Sequence, residues 1–264
     1  MASEQAVTLE VSGGAARITL NRPKALNAWD LTLGNELKRA VEAAAADEAV
    51  RAVLITGAGR AFSSGADLKE DRSGEGDGVP DLSQRLHEIY HPVMIGIREM
   101  PKPVIAAVNG PAVGIGCSLA LACDLILAAE SSYLLLAFVN IGLVPDGGAS
   151  VVLPARTGIA RANEMAMLGE RVPAAAALDW GLVNRVVPDD RLAAEAERML
   201  ERLATGPTRS YAGWKRLINR RVFAGLAEQL GAEADAQGEQ GRTADFVEGV
   251  TAFVEKRPPE FTGR

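Results

Sequence analysis

The sequence predicts an α/β fold that gives way, toward the C-terminus, to a layer built only of helices. Three observations carry this. Short apolar runs at 52–56, 104–108 and 125–128 read as strands and alternate with stretches of helical spacing. Two of these runs lead into glycine-bearing loops, where the backbone can turn sharply and present its N–H groups at close range. Beyond about Val187 the strand signals stop. The division expected is therefore a mixed core over 1–190 and a helical region over 191–264.

In chain order, 7–11 and 16–20 alternate as a hairpin around Ser12, Gly13 and Gly14. Residues 30–47 form a helix, with Asp30 placed to cap it and Leu31, Leu33, Leu37, Ala40 and Val41 at broadly helical spacing. The run 52–56 is a buried strand. Residues 70–81 are rich in Gly, Asp and Glu without periodicity, which predicts a mobile surface loop. Residues 82–100 are helical with a break or kink at Pro92. The strand 104–108 feeds, through its loop, an apolar helix at 117–122, and 125–128 is a strand again. The helices expected in the tail cover 191–203, 207–223, 226–240 and 244–256.

The bulk numbers exclude several classes. A chain of 264 residues with 48% hydrophobic and 23% charged content is ordinary for a soluble globular enzyme. No apolar run reaches the ~18 residues a membrane helix needs. The opening residues lack a basic segment followed by an apolar one, so no signal peptide is expected, and the expected location is the cytoplasm. A net charge of −6 argues against a nucleic-acid partner, whose binding rests on phosphate neutralisation. Small anionic ligands stay allowed, because helix N-termini and local basic groups suffice for them. Cys117 and Cys123 are expected to be buried thiols rather than a redox pair.

The main clue to function is a pair of loops: Ala61-Phe62-Ser63-Ser64-Gly65-Ala66-Asp67-Leu68 and Asn109-Gly110-Pro111-Ala112-Val113-Gly114-Ile115-Gly116. Two backbone N–H groups aimed at one point would hold an oxyanion. These loops, with Asn21-Arg22-Pro23-Lys24-Ala25-Leu26-Asn27-Ala28, Ala122-Cys123-Asp124, Gly142-Leu143-Val144-Pro145-Asp146-Gly147-Gly148, Ala177-Leu178-Asp179-Trp180-Gly181-Leu182-Val183 and Ala252-Phe253-Val254-Glu255-Lys256-Arg257, resemble the crotonase family of enoyl-CoA hydratases and isomerases. The motifs occur in family order along nearly the whole chain. Any one would be weak; the ordered set is specific.

The resemblance implies a spiral of strand–strand–helix turns, an acyl-CoA thioester substrate, no cofactor beyond the coenzyme A that the substrate carries, and a homotrimer or hexamer packed through the tail. It assigns the oxyanion donors to the N–H groups of Ala66 and Ile115. Position 115 departs from the commonest family pattern, which has Gly; the backbone donor survives that change, while the side chain reaches the acyl pocket. The two glutamates that hydratases of the family use are replaced by Ser118 and Phe138. A third position, used by many isomerases, carries Asp146. The segments 139–146, 242–250 and 256–263 look like the isomerase branch of bacterial phenylacetate degradation. For coenzyme A the resemblance points to Lys24, Ala25 and Leu26 beside the adenine end and to Ser64 and Asp67 near the linker. Phe253 and Lys256 are implied to reach a neighbouring subunit's ligand; as plain sequence, Lys24 and Lys256 are solvated surface charges.

Other motifs compete. His87-Glu88-Ile89-Tyr90-His91 matches the zinc-protease pattern, but Pro92 biases His91 away from helical geometry and the chain holds no third histidine, so no metal is expected. Gly57-Ala58-Gly59 lacks the third glycine of a dinucleotide loop, since position 62 is Phe62. Gly116-Cys117-Ser118-Leu119-Ala120 resembles a nucleophile elbow, yet both histidines precede the serine. On pattern alone Asp146 is a helix cap; the resemblance makes it a base. The function expected is an enoyl-CoA isomerase. The alternatives are an enoyl-CoA hydratase and, from another class, a non-catalytic acyl-CoA-binding protein, with a metal hydrolase behind them.

Overall fold

A computed structural model of the chain describes residues 5–69 and 82–264; the loop expected at 70–81 lies outside them. The hairpin β1 (Val7–Ser12) and β2 (Ala15–Leu20) opens a six-stranded sheet, which continues through β3 (Ala52–Gly57), β4 (Val104–Val108), β6 (Leu125–Ala129) and β9 (Arg185–Val187). The strand order is β1-β2-β3-β4-β6-β9, antiparallel in the hairpin and parallel from β2 onward. A smaller sheet holds β5 (Ala112–Val113), β7 (Tyr133–Leu135) and β8 (Val172–Pro173). Isolated bridges from Ser63 to Ala112 and from Trp29 to Ala66 extend this second layer toward the first glycine loop. Each turn of chain thus runs from the large sheet to the small one and returns through a helix.

The continuous apolar runs have a direct cause. Val53, Ile55, Val104, Ala106, Val108, Ile126 and Ala128 face one core. Their neighbours Ala52, Leu54, Ile105, Ala107, Leu127 and Ala129 face another. A parallel strand covered on both sides needs no polar face. The first core is closed by α1 (Leu31–Ala46), α3 (His91–Glu99) and α4 (Ile115–Ala122). The second is closed by α7 (Leu192–Ala204), whose Leu192, Ala196, Leu200 and Ala204 repeat every fourth residue and so form one stripe. The first helix of the tail therefore seals the sheet. Asp30 caps α1 as expected, accepting from the Leu33 N–H at 2.8 Å.

The segment from Leu82 differs from expectation. It is helical through α2 (Leu82–Arg85), a π turn (Leu86–Tyr90) and α3, without a break at Pro92. His91 keeps helical angles, φ −61 and ψ −46. Pro92 lies inside this continuous helix, where it removes one N–H from the hydrogen-bond ladder. The Glu88 carbonyl, whose helical partner would be that N–H, accepts from Lys38 Nζ at 3.0 Å. Between β6 and β9 the chain adds a 3-10 turn (Ala137–Ile141), α5 (Ala149–Leu168) and α6 (Ala174–Asp179), and the tail continues as α8 (Thr208–Val222), α9 (Leu226–Gln240) and α10 (Ala244–Glu255). Among the described residues, no helix is long and apolar enough to cross a membrane.

Asn27 ties the 21–28 motif to the end of β3. Its backbone is left-handed, φ 55, and its side chain is fully buried. Nδ2 donates to the carbonyls of Ala58, Ala61 and Phe62 at 3.0, 2.8 and 3.2 Å, and Oδ1 accepts from the Arg22 N–H at 2.9 Å. Asn27→Ala strands these buried groups and places a Cβ residue without local hydrogen bonding in a left-handed conformation. Urea denaturation should show a loss of roughly 3 kcal/mol.

Candidate active site

The two glycine loops meet. Gly65 and Gly114 both have positive φ, 93° and 53°. A Cβ built on Gly65 would lie 3.0 Å from the Val113 carbonyl oxygen and 3.8 Å from the Gly114 Cα, and one built on Gly114 would lie 3.8 Å from the Gly65 Cα. A side chain at Gly65 would press on the Val113 carbonyl, whereas a Cβ at Gly114 would sit at ordinary contact distance, so Gly114 is required by its backbone angles rather than by space; both backbone conformations are ones only glycine adopts freely. Each glycine immediately precedes one of the expected donors, Ala66 and Ile115. The second loop's helix starts earlier than expected, at Ile115 rather than 117, so the Ile115 N–H is the first of α4 and has no carbonyl a turn earlier in the helix to bond. The Trp29 bridge uses the Gly65 carbonyl and the Asp67 N–H, on either side of Ala66. Among the described residues neither the Ala66 nor the Ile115 N–H is engaged by another hydrogen bond.

Both donors border a cleft of about 830 Å³, the size range of a small-molecule site. Asp146 borders the same cleft and is 4% exposed. It arrives there through a tight turn. Gly147 and Gly148 are both left-handed, φ 68 and 82, and a Cβ on Gly147 would lie 2.7 Å from Ile115 Cδ1 and 2.9 Å from Ser118 Cβ. The turn is therefore pressed against α4, beside the second donor. Ser118 Oγ donates to the Asp146 carbonyl oxygen at 2.7 Å. That use of the hydroxyl leaves no triad for it, and among the described residues no histidine is bonded to it.

Asp146 is not the cap of α5. The residue at the cap position is Gly148, and no side chain within its own segment serves it. The cap comes from α9: the Glu233 carboxylate accepts from the Gly148 N–H at 2.7 Å, the Ser150 N–H at 2.9 Å and the Ser150 hydroxyl at 2.5 Å. One helical turn on, Gln237 Nε2 donates to the Val144 carbonyl at 2.6 Å and to Asp146 Oδ2 at 3.1 Å. Asp146 Oδ1 is buried and has no hydrogen-bond partner among the described residues. Burial first, and the Glu233 charge second, push the Asp146 carboxyl well above the usual carboxylate range; the Gln237 hydrogen bond pulls it partly back. Glu233 is raised too, by burial, against the bonds it accepts. Sequence reading did not find Glu233 and Gln237. They are polar residues on a stretch expected only to be a tail helix, and nothing in the local pattern marks them as buried.

Lys24, Ala25, Leu26, Ser64, Asp67 and Phe253 all border the cleft. Asp67 is also held by Arg22, Oδ2 to Nη1 at 3.2 Å, and the Ser64 N–H donates to the Leu26 carbonyl at 2.9 Å. These bonds lock the 21–28 motif to the first donor loop. Lys256 is not among the bordering residues; it ends α10 in a left-handed conformation, φ 58, and is exposed. Its neighbour Arg257 borders the cleft while pairing with Glu248.

The histidine pair does share a face, contrary to the expectation from Pro92: the rings of His87 and His91 stack edge-on with centroids 5.1 Å apart. Burial, then the His87 charge, lowers His91 to about 4, so it is neutral near pH 7. Among the described residues no group of three His, Cys, Asp or Glu side chains could hold a metal. Cys117 and Cys123 are buried free thiols, each pushed up to about 12 by desolvation.

A family model for enoyl-CoA hydratase/isomerase matches residues 10–264. The chain belongs to the enoyl-CoA hydratase/isomerase family. It is 42% identical to a probable enoyl-CoA hydratase of Rhodobacter capsulatus, over 99% of this chain and all of that one. It is 40% identical to the 1,2-epoxyphenylacetyl-CoA isomerase of Escherichia coli, over 96% of this chain and 97% of the other. A crystal structure of an enoyl-CoA hydratase from Mycobacterium avium superposes with a TM-score of 0.89 at 41% identity, covering 97% and 98% of the two chains. The α/β spiral is thus the crotonase fold. The relatives carry both hydratase and isomerase names, so the family membership leaves the choice of reaction to the site.

The buried carboxyl has a consequence for stability. Asp146 keeps its proton to a higher pH folded than unfolded, so its contribution is full below the unfolded value of 3.8 and is lost as pH rises through the raised value. Asp146→Asn is fixed in the neutral form and no longer repels Glu233. It should melt above wild type at about pH 8, with the gap closing toward about pH 4, as followed by circular dichroism.

Proposed function

We propose that this protein is an enoyl-CoA isomerase that moves a double bond between the β,γ and α,β positions of an acyl-CoA thioester. The observation that carries this is a buried carboxylate at the cleft, Asp146, whose Oδ1 has no hydrogen-bond partner among the described residues. The positions where hydratases of the family carry glutamates hold Ser118 and Phe138. Among the described residues, the other carboxylate bordering the cleft is Asp67, which is taken up by Arg22.

The reaction follows from these groups. With the thioester carbonyl oxygen between the Ala66 and Ile115 N–H groups, loss of a proton from the α-carbon places negative charge on that oxygen. The two donors stabilise the resulting dienolate, and α4 adds the positive end of its dipole. Asp146 takes the α-proton on Oδ1 and returns it to the γ-carbon. The double bond shifts, nothing is added or lost, and the carboxylate is restored. Burial that raises the basicity of Asp146 also keeps water away from the dienolate. The reaction needs no cofactor beyond the coenzyme A of the substrate. Lys24, Ala25 and Leu26 with Ser64 and Asp67 form the wall along which that coenzyme A lies.

A panel of 3-enoyl- and 2-enoyl-CoA thioesters, with products identified by mass and NMR, tests this reading. Double-bond migration leaves the mass unchanged; efficient addition of water to a 2-enoyl-CoA would make it a hydratase, and binding without turnover a non-catalytic binder. Asp146→Asn should lower isomerisation roughly 10²-fold or more, and a near-normal rate would remove Asp146 as base.

We also propose that the chain assembles as a trimer or hexamer through its tail, with Phe253 and Lys256 near a neighbour's ligand. Trp214, Leu217, Val247 and Val254 are large apolar side chains more than half exposed in the single chain, a surface that a partner would cover. Sedimentation at micromolar concentration should give a trimer or a hexamer. A monomer overturns the assignment.

A further inference from the structure

We propose that Gln237 is a positioning residue for the base: by donating to Asp146 Oδ2 it fixes the carboxylate plane and leaves Oδ1 as the one oxygen that carries the proton. This rests on Asp146 being the base.

Gln237 Nε2 has two acceptors on one short segment, the Val144 carbonyl at 2.6 Å and Asp146 Oδ2 at 3.1 Å. It therefore ties the carboxylate to the backbone just before it. Four residues earlier on the same face of α9, Glu233 holds the backbone just after it, through the N–H groups of Gly148 and Ser150. The loop that carries Asp146 is thus gripped on both sides by one helix of the tail. A carboxylate that shuttles a proton between two carbons of one substrate must not rotate, since rotation would exchange its oxygens between transfer steps. With Oδ2 engaged, only Oδ1 is open. Gln237 is itself 1% exposed, so the bond is not exchanged for water.

The same two residues act on the charge of Asp146 in opposite senses. Gln237 donates to the ionised form and favours it, whereas the Glu233 charge disfavours it. From α4, Ser118 bonds the Asp146 carbonyl rather than the carboxylate, and Phe138 in the 3-10 turn is apolar. Arg85 and Tyr90 border the cleft from the 82–91 segment.

The test is Gln237→Met, which keeps length and removes the donor, beside Glu233→Gln, which keeps hydrogen-bonding groups and removes the charge. Both are assayed on a 3-enoyl-CoA with Asp146→Asn as reference. Gln237→Met should lower kcat roughly ten-fold with KM within about two-fold, and move the acid limb of the kcat profile to higher pH. Glu233→Gln should move that limb to lower pH. In parallel, the Asp146 carboxyl resonance of the ¹³C-labelled free enzyme, identified by its loss in Asp146→Asn, should titrate higher in Gln237→Met and lower in Glu233→Gln. A merely structural helix contact would not shift the two titrations in opposite directions. Unmoved titrations in folded variants overturn the proposal, as does an unchanged kcat in Gln237→Met. If Asp146→Asn stays active, the reading of the base fails instead, while the NMR titration still reports whether Gln237 sets the carboxylate.

Discussion

The site depends on the contact between Gly65 and Gly114. Each belongs to a different turn of the spiral, and each is followed by a residue whose N–H has no partner among the described residues. The missing Cβ of Gly65 lets its loop come against the Val113 carbonyl, the positive φ of Gly114 turns the second loop, and the bridge between Ser63 and Ala112 holds them in register. The parallel sheet beneath supplies the rest. Adjacent strands β3 and β4 end side by side, so the loops that leave them start as neighbours. Donors held by a scaffold of this kind need no reorganisation when charge forms between them, which is where electrostatic stabilisation gains most.

Asp146 reaches this site at a cost. A buried carboxyl with one oxygen unpartnered, beside a second buried carboxylate, destabilises the charged folded state. The surrounding structure offsets it with the α9 grip of Glu233 and Gln237 and with the Ser118 bond. The helical tail is accordingly part of the site. Its attachment is also polar and buried at a second point. Asp124 pairs with Arg98 at 3.0 Å and Lys215 at 2.7 Å, and Lys215 donates to the carbonyls of Ile97 and Lys102. This cluster pins α8 to the end of β4, where the Val104 N–H donates to the same carboxylate. Buried charges hold only when every partner is present, so α8 has one place to dock.

Much of this was legible in the sequence for a physical reason. Strands covered on both faces leave continuous apolar runs, amphipathic α7 leaves a four-residue stripe, and Asp30 marks the start of α1, so local pattern suffices for each. The glycines were legible too, because a backbone with positive φ has few alternatives to glycine. The ordered set of seven motifs, those around Ala66, Ile115 and Asp146 among them, sufficed to name the family.

The tertiary structure decided what depends on distant partners. Pro92 signals a break in any local reading, yet the π turn and Lys38 absorb its missing hydrogen bond, and the helix continues. Asp146 looks like a cap from its neighbours in sequence. It is released from that role because Glu233, 87 positions beyond, caps the helix instead. Gln237 lies on a helix whose local pattern does not mark its polar residues as buried, and only the packing of α9 over the 144–150 turn buries it. Sequence fixes conformations that one residue or one period can impose; the burial of a polar group, and hence its charge state, belongs to contacts between segments that the chain order keeps apart.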